Sequence, residues 1–371
     1  CLGGWVQISN KKIGITRAHL EEDAGKLVHA GAAGLYGSSY SLVDLNRAGT
    51  PLLEIVSEPD MRSSEEAREY VEQLRNILRY IGVCDGNLEE GSMRADANIS
   101  VRPRGQKEFG TRAEIKNVNS FRALQRAIEY EFERQTDLIE SGGEVIQETR
   151  LWDDNSGTTS SMRGKEDAHD YRYFPEPDLM PLEISSDWIE EIKKSMPELP
   201  QQKLERYISL GLSEYDANVL VNQMDIALFY DEALKGGVNP KTASNFLTGE
   251  IAAYLKEEKV SIGETKLSVE NFVKLLSLLE KGTISNNIAK QLVVEILKSG
   301  EDAQQLVEKK GLSVLSDASQ LEELARKVVE ANPEQVAAYK GGRDKLFGFF
   351  VGQIMKETKG RANPKAVNEI L

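Results

Sequence analysis

The sequence predicts an α+β protein, in which a sheet-rich N-terminal part precedes an all-α helical part. Before residue 177, alternating polar and apolar segments typical of half-buried strands surround two long amphipathic patterns. Prolines are spaced along residues 177–200, and beyond them the periodic segments repeat about every 3.6 residues, as helices do. These observations predict domains at residues 1–185, 186–300 and 301–371.

Composition limits the function classes. The 46 basic and 60 acidic residues leave a net charge of −14, unlike a simple electrostatic nucleic-acid binder, whose footprint is basic. Cys1 and Cys84 fit neither a disulfide framework nor a zinc site, as in a reducing compartment. No apolar run reaches the ~20 residues of a membrane span. We expect a cytoplasmic location and no membrane partner, with an organelle stroma or matrix as an open alternative.

Residues 43–60 combine a Gly-Thr-Pro turn with an apolar run that predicts a buried strand. The apolar residues of this run are Leu52, Leu53, Ile55 and Val56. Glu54 lies among them, and a buried carboxylate normally has a partner because its desolvation is costly. Two interpretations stay open: an ion pair with Arg47, or a role in a binding site.

Three consecutive acids, Glu21, Glu22 and Asp23, lie inside the segment 18–27. Acidic residues are common in the first turn of a helix, where they interact favourably with its dipole. This run is therefore either the solvated start of a helix or a group of acids directed into a site.

Two further segments alternate strictly. In 94–102 the polar face carries Arg94, Asp96, Asn98, Ser100 and Arg102, and in 111–118 it carries Arg112, Glu114 and Lys116. One wet face of an antiparallel sheet would explain this pattern. The short polar side chains favour instead a site that holds both acids and bases.

Helices are predicted after Ser63, which begins a capping-box pattern, and after Ser120. The inward residues of the second helix are predicted to be Phe121, Leu124, Ile128, Phe132 and Ile139. Further amphipathic helices are predicted at 201–210, 213–223, 225–235, 241–256, 268–281 and 285–298.

The C-terminal segment is basic within an acidic chain. From Glu334 onward there are seven Lys or Arg and four Asp or Glu residues, a net charge of +3. The candidate nucleic-acid contacts are Lys340, Arg343, Lys345, Lys359 and Arg361. The alternative is the ordinary surface of a small helical bundle.

The polar segments together supply carboxylates without a Cys or His cluster, which suits hard cations and Mg²⁺ above all. Arginine and lysine lie beside them, and phosphoryl transfer requires this combination of charge neutralisation and positioning. No P-loop and no kinase signature set is present in the sequence. The patterns alone indicate a Mg²⁺-dependent enzyme that acts on phosphates through an unusual site.

The segment VDLNRAGTPLLEIVSEPD closely resembles the signature of the GatB family, the B subunits of the tRNA-dependent amidotransferases. HLEEDAGK, EEGSMRADANISVRP, GTRAEIKNVNS and DYRYFPEPDL resemble other motifs of that family, in the same order. The resemblance implies a cradle-like catalytic domain, a helical domain and a YqeY-like tail domain. It also implies a ligase that uses ATP and Mg²⁺ to phosphorylate Glu or Asp misacylated on tRNA(Gln) or tRNA(Asn). Its partners would be the amidase of the amidotransferase, which supplies ammonia, and the small third protein of that complex.

The resemblance implies catalytic and metal-binding roles for Glu22, Glu54, Asp96 and Glu114, with Glu21 as their neighbour. We add Arg94, Arg112 and Lys116 as phosphate contacts and Phe109 as a residue that stacks on adenine. The helical and tail parts would bind tRNA. The family begins with a strand that carries Glu and His ligands; this sequence lacks it, so we expect an incomplete ligand set. A non-catalytic tRNA-binding protein and an amide ligase for a small acid are the alternatives.

Overall fold

The computed structural model describes residues 1–9, 11–30, 40–164, 180–312, 318–358, 362 and 364–371. The chain divides into two compact units, Cys1–Leu199 and Pro200–Leu371. The described part of the first unit contains groups of strands separated by single helices, and the described part of the second is built of helices, which confirms the α+β class. The finer boundaries at 185/186 and 300/301 stay predictions.

The described strands of the first unit form three sheets. They are β1 (Trp5–Gln7), β2 (Lys12–Glu22), β3 (Lys26–Ala30), β4 (Tyr40–Asp44), β5 (Pro51–Ser57), β6 (Ala95–Ile99), β7 (Ala113–Val118), β8 (Glu148–Asp153) and β9 (Thr158–Gly164). The sheet orders are β1-β2-β5, β3-β4 and β6-β7-β8-β9. Neighbouring strands are antiparallel except β7 and β8, which are parallel. A helix lies in the connection between these two strands, as a parallel crossover requires.

The acid run does not start a helix. Residues 12–22 form β2, in which Glu21 pairs with Leu52 and Glu22 with Pro51 of β5. The helical interpretation is wrong because this long antiparallel ladder satisfies the backbone instead. β5 itself confirms the predicted strand but not its burial, since Leu53 is 48% exposed.

Helix α1 (Ser64–Tyr80) begins as predicted, with Ser63 Oγ accepting a hydrogen bond from the Glu66 N–H. In a capping box, the Glu66 carboxylate would accept a hydrogen bond from the N–H of the cap residue, Ser63. Here it accepts instead from the N–H of the preceding residue, Arg62, at 2.7 Å. The chain leaves the helix through Gly82, whose φ of 73° suits glycine.

Helix α2 (Phe121–Glu140) confirms the predicted bounds and its Ser120 cap, but its buried face is rotated. The buried residues are Ala123, Leu124, Ala127, Glu131 and Gln135, whereas Phe132 and Ile139 are exposed. The prediction failed for these two because it followed the large apolar side chains. The sheet instead receives small residues and a buried polar network.

Helix α3 (Ser186–Ser195) lies inside the proline-rich segment that the sequence predicts as a boundary. Ser185 caps it, and the prolines fall outside its bounds. Its apolar residues Trp188, Ile189 and Ile192 are exposed.

The second unit confirms every predicted helix. They are α4 (Pro200–Ser209), α5 (Glu214–Val221), α6 (Met224–Lys235), α7 (Pro240–Phe246), α8 (Ala252–Glu258), α9 (Val269–Glu280), α10 (Asn286–Ser299), α11 (Ala303–Lys310), α12 (Ala318–Ala331), α13 (Pro333–Lys340), α14 (Phe347–Glu357) and α15 (Pro364–Ile370). A π-helical turn, Leu247–Ile251, separates α7 from α8 within the predicted segment 241–256.

Two hydrophobic cores hold the helical unit. The larger includes Tyr207, Tyr230 and Phe272, and it extends to Leu306 and Val307 of α11. The smaller is formed by α12, α14 and α15 around Phe350 and Ile354. No helix within the described ranges combines the length and apolarity that crossing a bilayer requires.

Candidate active site

One cluster of ionisable side chains lies across strands β2 and β5. Their antiparallel register pairs His19 with Glu54, and Glu21 follows two residues later on the same face of β2. His19 Nε2 lies 2.8 Å from Glu21 Oε1 and 3.0 Å from Glu54 Oε2. Arg17 Nε donates to His19 Nδ1 at 3.2 Å, and Arg17 Nη2 contacts Glu54 Oε2 at 3.4 Å. One imidazole therefore bridges two carboxylates.

This group, which we call the His19 cluster (His19, Glu21 and Glu54), has the donor set of a cation site. One ligand atom from each residue lies within 4.8 Å of the others. Carboxylate oxygens suit Mg²⁺, and imidazole suits transition metals. All three side chains are more than a third exposed, so a cation and its waters would reach them from solvent.

The predicted ion pair between Glu54 and Arg47 is wrong. Arg47 Nε binds Asp23 Oδ2 at 3.0 Å, and Arg94 Nη2 approaches the same oxygen at 3.8 Å. Glu54 instead takes Arg17 and His19, which the β2–β5 register brings to it. Asp23 thus connects the end of β2 to the residue before β6.

Glu22 is not brought to this cluster. Neighbouring residues of a strand point to opposite faces, so Glu22 faces away from Glu21, and its side chain is exposed. Its catalytic role stays a prediction. The sequence reasoning assigned no role to His19, although its spacing of two residues from Glu21 is a signal for a shared strand face.

A second cluster, the open-face cluster, lies on the polar face of the larger sheet. It confirms the predicted alternation of polar and apolar residues in the segments 94–102 and 111–118. It consists of Asp96, Glu114, Lys116 and Thr149. Lys116 Nζ donates to Asp96 Oδ2 at 2.8 Å and lies 3.5 Å from Glu114 Oε1. Partial burial acts to lower the pKa of Lys116, but its hydrogen bond to Asp96 and the two negative charges raise it overall. Lys116 is thus held as a cation between two carboxylates.

A β-bulge sets this geometry. Ala95 pairs with Val118 and Ala97 with Ile115, so β7 carries one extra residue opposite Asp96. Asn117 has a φ of 68°, and its Nδ2 donates to the Trp152 carbonyl at 3.0 Å. The bulge returns Val118 to the core while Lys116 stays beside Asp96.

The remaining predicted ligand contacts lie at the surface. Arg94 and Arg112 are exposed, as is the ring of Phe109. The Arg102 guanidinium lies 4.5 Å from the Phe109 ring centroid, a cation–π contact that the sequence did not indicate.

Three of the basic residues predicted for tRNA are exposed at the C-terminal end of α13 and just after it: Lys340, Arg343 and Lys345. Lys359 and Arg361 lie outside the described residues. The tRNA contact predicted for all five residues stays a prediction.

Comparison with known proteins identifies the family. The profile described as the GatB/GatE catalytic domain matches residues 1–190, and the profile described as the GatB domain matches residues 228–371. This chain belongs to the GatB family. The resemblance drawn from its motifs is confirmed, and both ionisable clusters fall within the span that matches the GatB/GatE catalytic domain.

Curated GatB-family relatives match nearly the whole chain. A Trichodesmium erythraeum protein is 53% identical over 99% of this chain and 76% of its own length. Relatives from Crocosphaera subtropica and Carboxydothermus hydrogenoformans are each 54% identical, over 98% and 97% of the chain and 74% and 75% of their own lengths. All three are named as the B subunit of aspartyl/glutamyl-tRNA(Asn/Gln) amidotransferase. The chain therefore spans about three quarters of the relatives it matches.

Proposed function

We propose that this chain is the component of a tRNA-dependent amidotransferase that activates the amino acid carried by a misacylated tRNA. The observation that supports this most strongly is the GatB/GatE catalytic-domain match together with relatives named as the B subunit of that enzyme. The substrates would be Glu-tRNA(Gln), Asp-tRNA(Asn) or both. The reaction class is a carbon–nitrogen ligase driven by ATP.

The chemistry requires two displacements. The side-chain carboxylate oxygen attacks the γ-phosphorus of ATP, an acyl phosphate forms, and ADP leaves. Ammonia then attacks the acyl carbon, the bond to the phosphate oxygen breaks, and a proton is lost as the amide forms. Phosphorylation is needed because an unmodified carboxylate has no adequate leaving group.

The donor set of the His19 cluster fits a divalent cation of the kind that ATP chemistry requires. In the His19 cluster, carboxylate oxygens and an imidazole nitrogen are close enough together to bind one ion. Mg²⁺ there would neutralise phosphate charge. Asp96 and Glu114 carry the predicted catalytic roles on the open face, where Lys116 offers a cation for an oxyanion. We propose Arg94 and Arg112 as phosphate contacts and Phe109 as the surface on which adenine stacks.

The name of the relatives supports a multi-subunit enzyme, since a protein named as one subunit belongs to a complex. We propose the amidase of the amidotransferase as the source of ammonia and its small third protein as the remaining component. The exposed cations Lys340, Arg343 and Lys345 support a tRNA contact by the tail, because phosphate contacts dominate nucleic-acid affinity.

The test is conversion of Glu-tRNA(Gln) to Gln-tRNA(Gln) by the full-length protein assembled with the amidase and the small third protein, in the presence of glutamine and ATP. Glu54→Ala and Asp96→Ala should each lower turnover about 100-fold or more, the usual scale for removing one electrostatic group from a site. Glu58→Ala is the matched control, because Glu58 lies just after β5 and bonds Thr16 instead of either cluster. Undiminished turnover in both site variants would refute the assignment.

A non-catalytic tRNA-binding role makes a different prediction. ATP hydrolysis should then be indifferent to whether the added tRNA is misacylated or deacylated. Stimulation by misacylated tRNA alone supports the proposed function. Phosphate release with a free small acid and no tRNA would indicate the third class, a small-molecule amide ligase.

A further inference from the structure

Strand β8 brings a threonine to a predicted catalytic carboxylate. The parallel register pairs Thr149 with Glu114 of β7. Thr149 Oγ1 donates to Glu114 Oε2 at 3.0 Å, while Glu114 Oε1 faces Lys116 Nζ at 3.5 Å. The two oxygens of one carboxylate thus have different partners, which limits rotation of the group.

The next residue of β8 anchors the strand from the other face. Arg150 Nε donates to Thr159 Oγ1 at 2.7 Å, and Arg150 Nη2 donates to the Thr159 carbonyl at 2.9 Å. Arg150 Nε also lies 3.5 Å from the fully buried carboxylate of Glu131 on α2. Because Thr149 and Arg150 are adjacent, this buried anchor fixes the position from which the Thr149 hydroxyl reaches Glu114.

We propose that Thr149 is a positioning residue that acts through Glu114, holding its carboxylate in the orientation that the reaction uses. The inference rests on the proposed function, since it requires a catalytic role for Glu114. A threonine suits the position because its hydroxyl donates to an ionised carboxylate, and hydrogen bonds to charged groups are stronger than neutral ones. Valine has nearly the same shape and no donor.

The assay uses the full-length protein in the assembled amidotransferase with Glu-tRNA(Gln). Thr149→Val should lower kcat about tenfold, the order expected for losing one hydrogen bond to a charged group. KM for the tRNA should stay within about twofold, because ground-state binding is not the role assigned. Thr149→Ser should restore most of kcat, since it keeps the hydroxyl. Thr158→Val is the matched control, because Thr158 is an exposed β9 threonine bonded to Ser156.

A double-mutant cycle separates positioning from a structural role. In a Glu114→Asp background, whose shorter side chain withdraws from the hydroxyl, adding Thr149→Val should change kcat by less than about twofold. Equal tenfold losses in both backgrounds, an unchanged kcat in Thr149→Val, or failure of serine to rescue would each overturn the inference. An inactive wild-type complex would instead count against the proposed function itself, so the two failures are distinguishable.

Discussion

The larger sheet carries a cluster of carboxylates and cations on each of its two faces. On the face toward α2, a network centred on the fully buried Glu131 joins Glu131 and Glu148 to Arg134 and Arg150. On the other face, Lys116 joins Asp96 to Glu114, and these side chains are between 19% and 43% exposed. The chemical groups are alike, and the difference is the solvent access of the central side chain: Glu131 is fully buried, whereas Lys116 is 43% exposed.

That difference separates a structural cluster from a candidate site. Glu131 has no exposed surface, and it accepts hydrogen bonds from both Arg134 and Gln135. A buried ion pair of this kind is costly to break because the remaining charge stays buried. The side chains of the open-face cluster are partly exposed, which leaves them accessible to a substrate.

The largest effect should come from the buried face. Glu131→Leu removes the fully buried carboxylate that Arg134 and Arg150 share and leaves them only Glu148. Breaking such a buried pair costs about 3–5 kcal/mol of unfolding free energy. Urea unfolding followed by tryptophan fluorescence measures this loss. A loss below about 1 kcal/mol would show that the two faces are energetically alike.

Lys116→Met tests the open face. Ion pairs this exposed contribute up to about 1 kcal/mol, so unfolding should change little. Turnover should nevertheless fall about tenfold or more, because Asp96 and Glu114 lose the cation between them. Urea unfolding measures the stability, and the aminoacyl-tRNA assay measures the turnover. A loss of stability with normal turnover of the folded protein would show that the open-face cluster is structural and not catalytic.

The pH dependence of stability sharpens the comparison. Burial acts to raise the pKa of Glu148, but hydrogen bonds from Ser161 and Arg150 and the arginine charges lower it overall from 4.5. Its contribution is therefore present above pH 4.5 and is lost as the pH falls through the folded-state pKa. Glu148→Gln should destabilise by about 1–2 kcal/mol at pH 7, and the difference from wild type should shrink below pH 4.5. A constant difference between pH 7 and pH 3 would contradict this account.

The last prediction concerns the β-bulge of β7, opposite Asp96. Asn117→Ala places alanine at a φ of 68° and removes the bond to Trp152, at a cost of about 1–2 kcal/mol. Asn117→Gly should cost less, because glycine adopts this conformation freely. Thermal unfolding of the two variants provides the comparison, and the opposite order would show that the backbone is unstrained there.

Local patterns predicted much of this fold. Ser63 and Ser120 identified the starts of α1 and α2, and the alternation around Asp96 and Glu114 identified β6, β7 and the polar face. The patterns failed where pairing between distant segments decides. Arg17 and His19 meet Glu54 only through the β2–β5 register. The network around Glu131 needs this residue of α2 to meet Arg150 of β8 and Thr159 of β9. Neither arrangement leaves a signal in a single segment.

The most direct test of the central claim follows phosphate from ATP in the assembled enzyme without an ammonia source. With γ-labelled ATP and Glu-tRNA(Gln), the account predicts ADP formation that depends on the misacylated tRNA. This activity should fall about 100-fold or more in Asp96→Ala, and it should persist in Glu58→Ala, whose side chain accepts a hydrogen bond from Thr16. The assignment of the open face to carboxylate activation would be contradicted by either of two results. One is label release that does not depend on the amino acid on the tRNA, and the other is label release that is unchanged in Asp96→Ala.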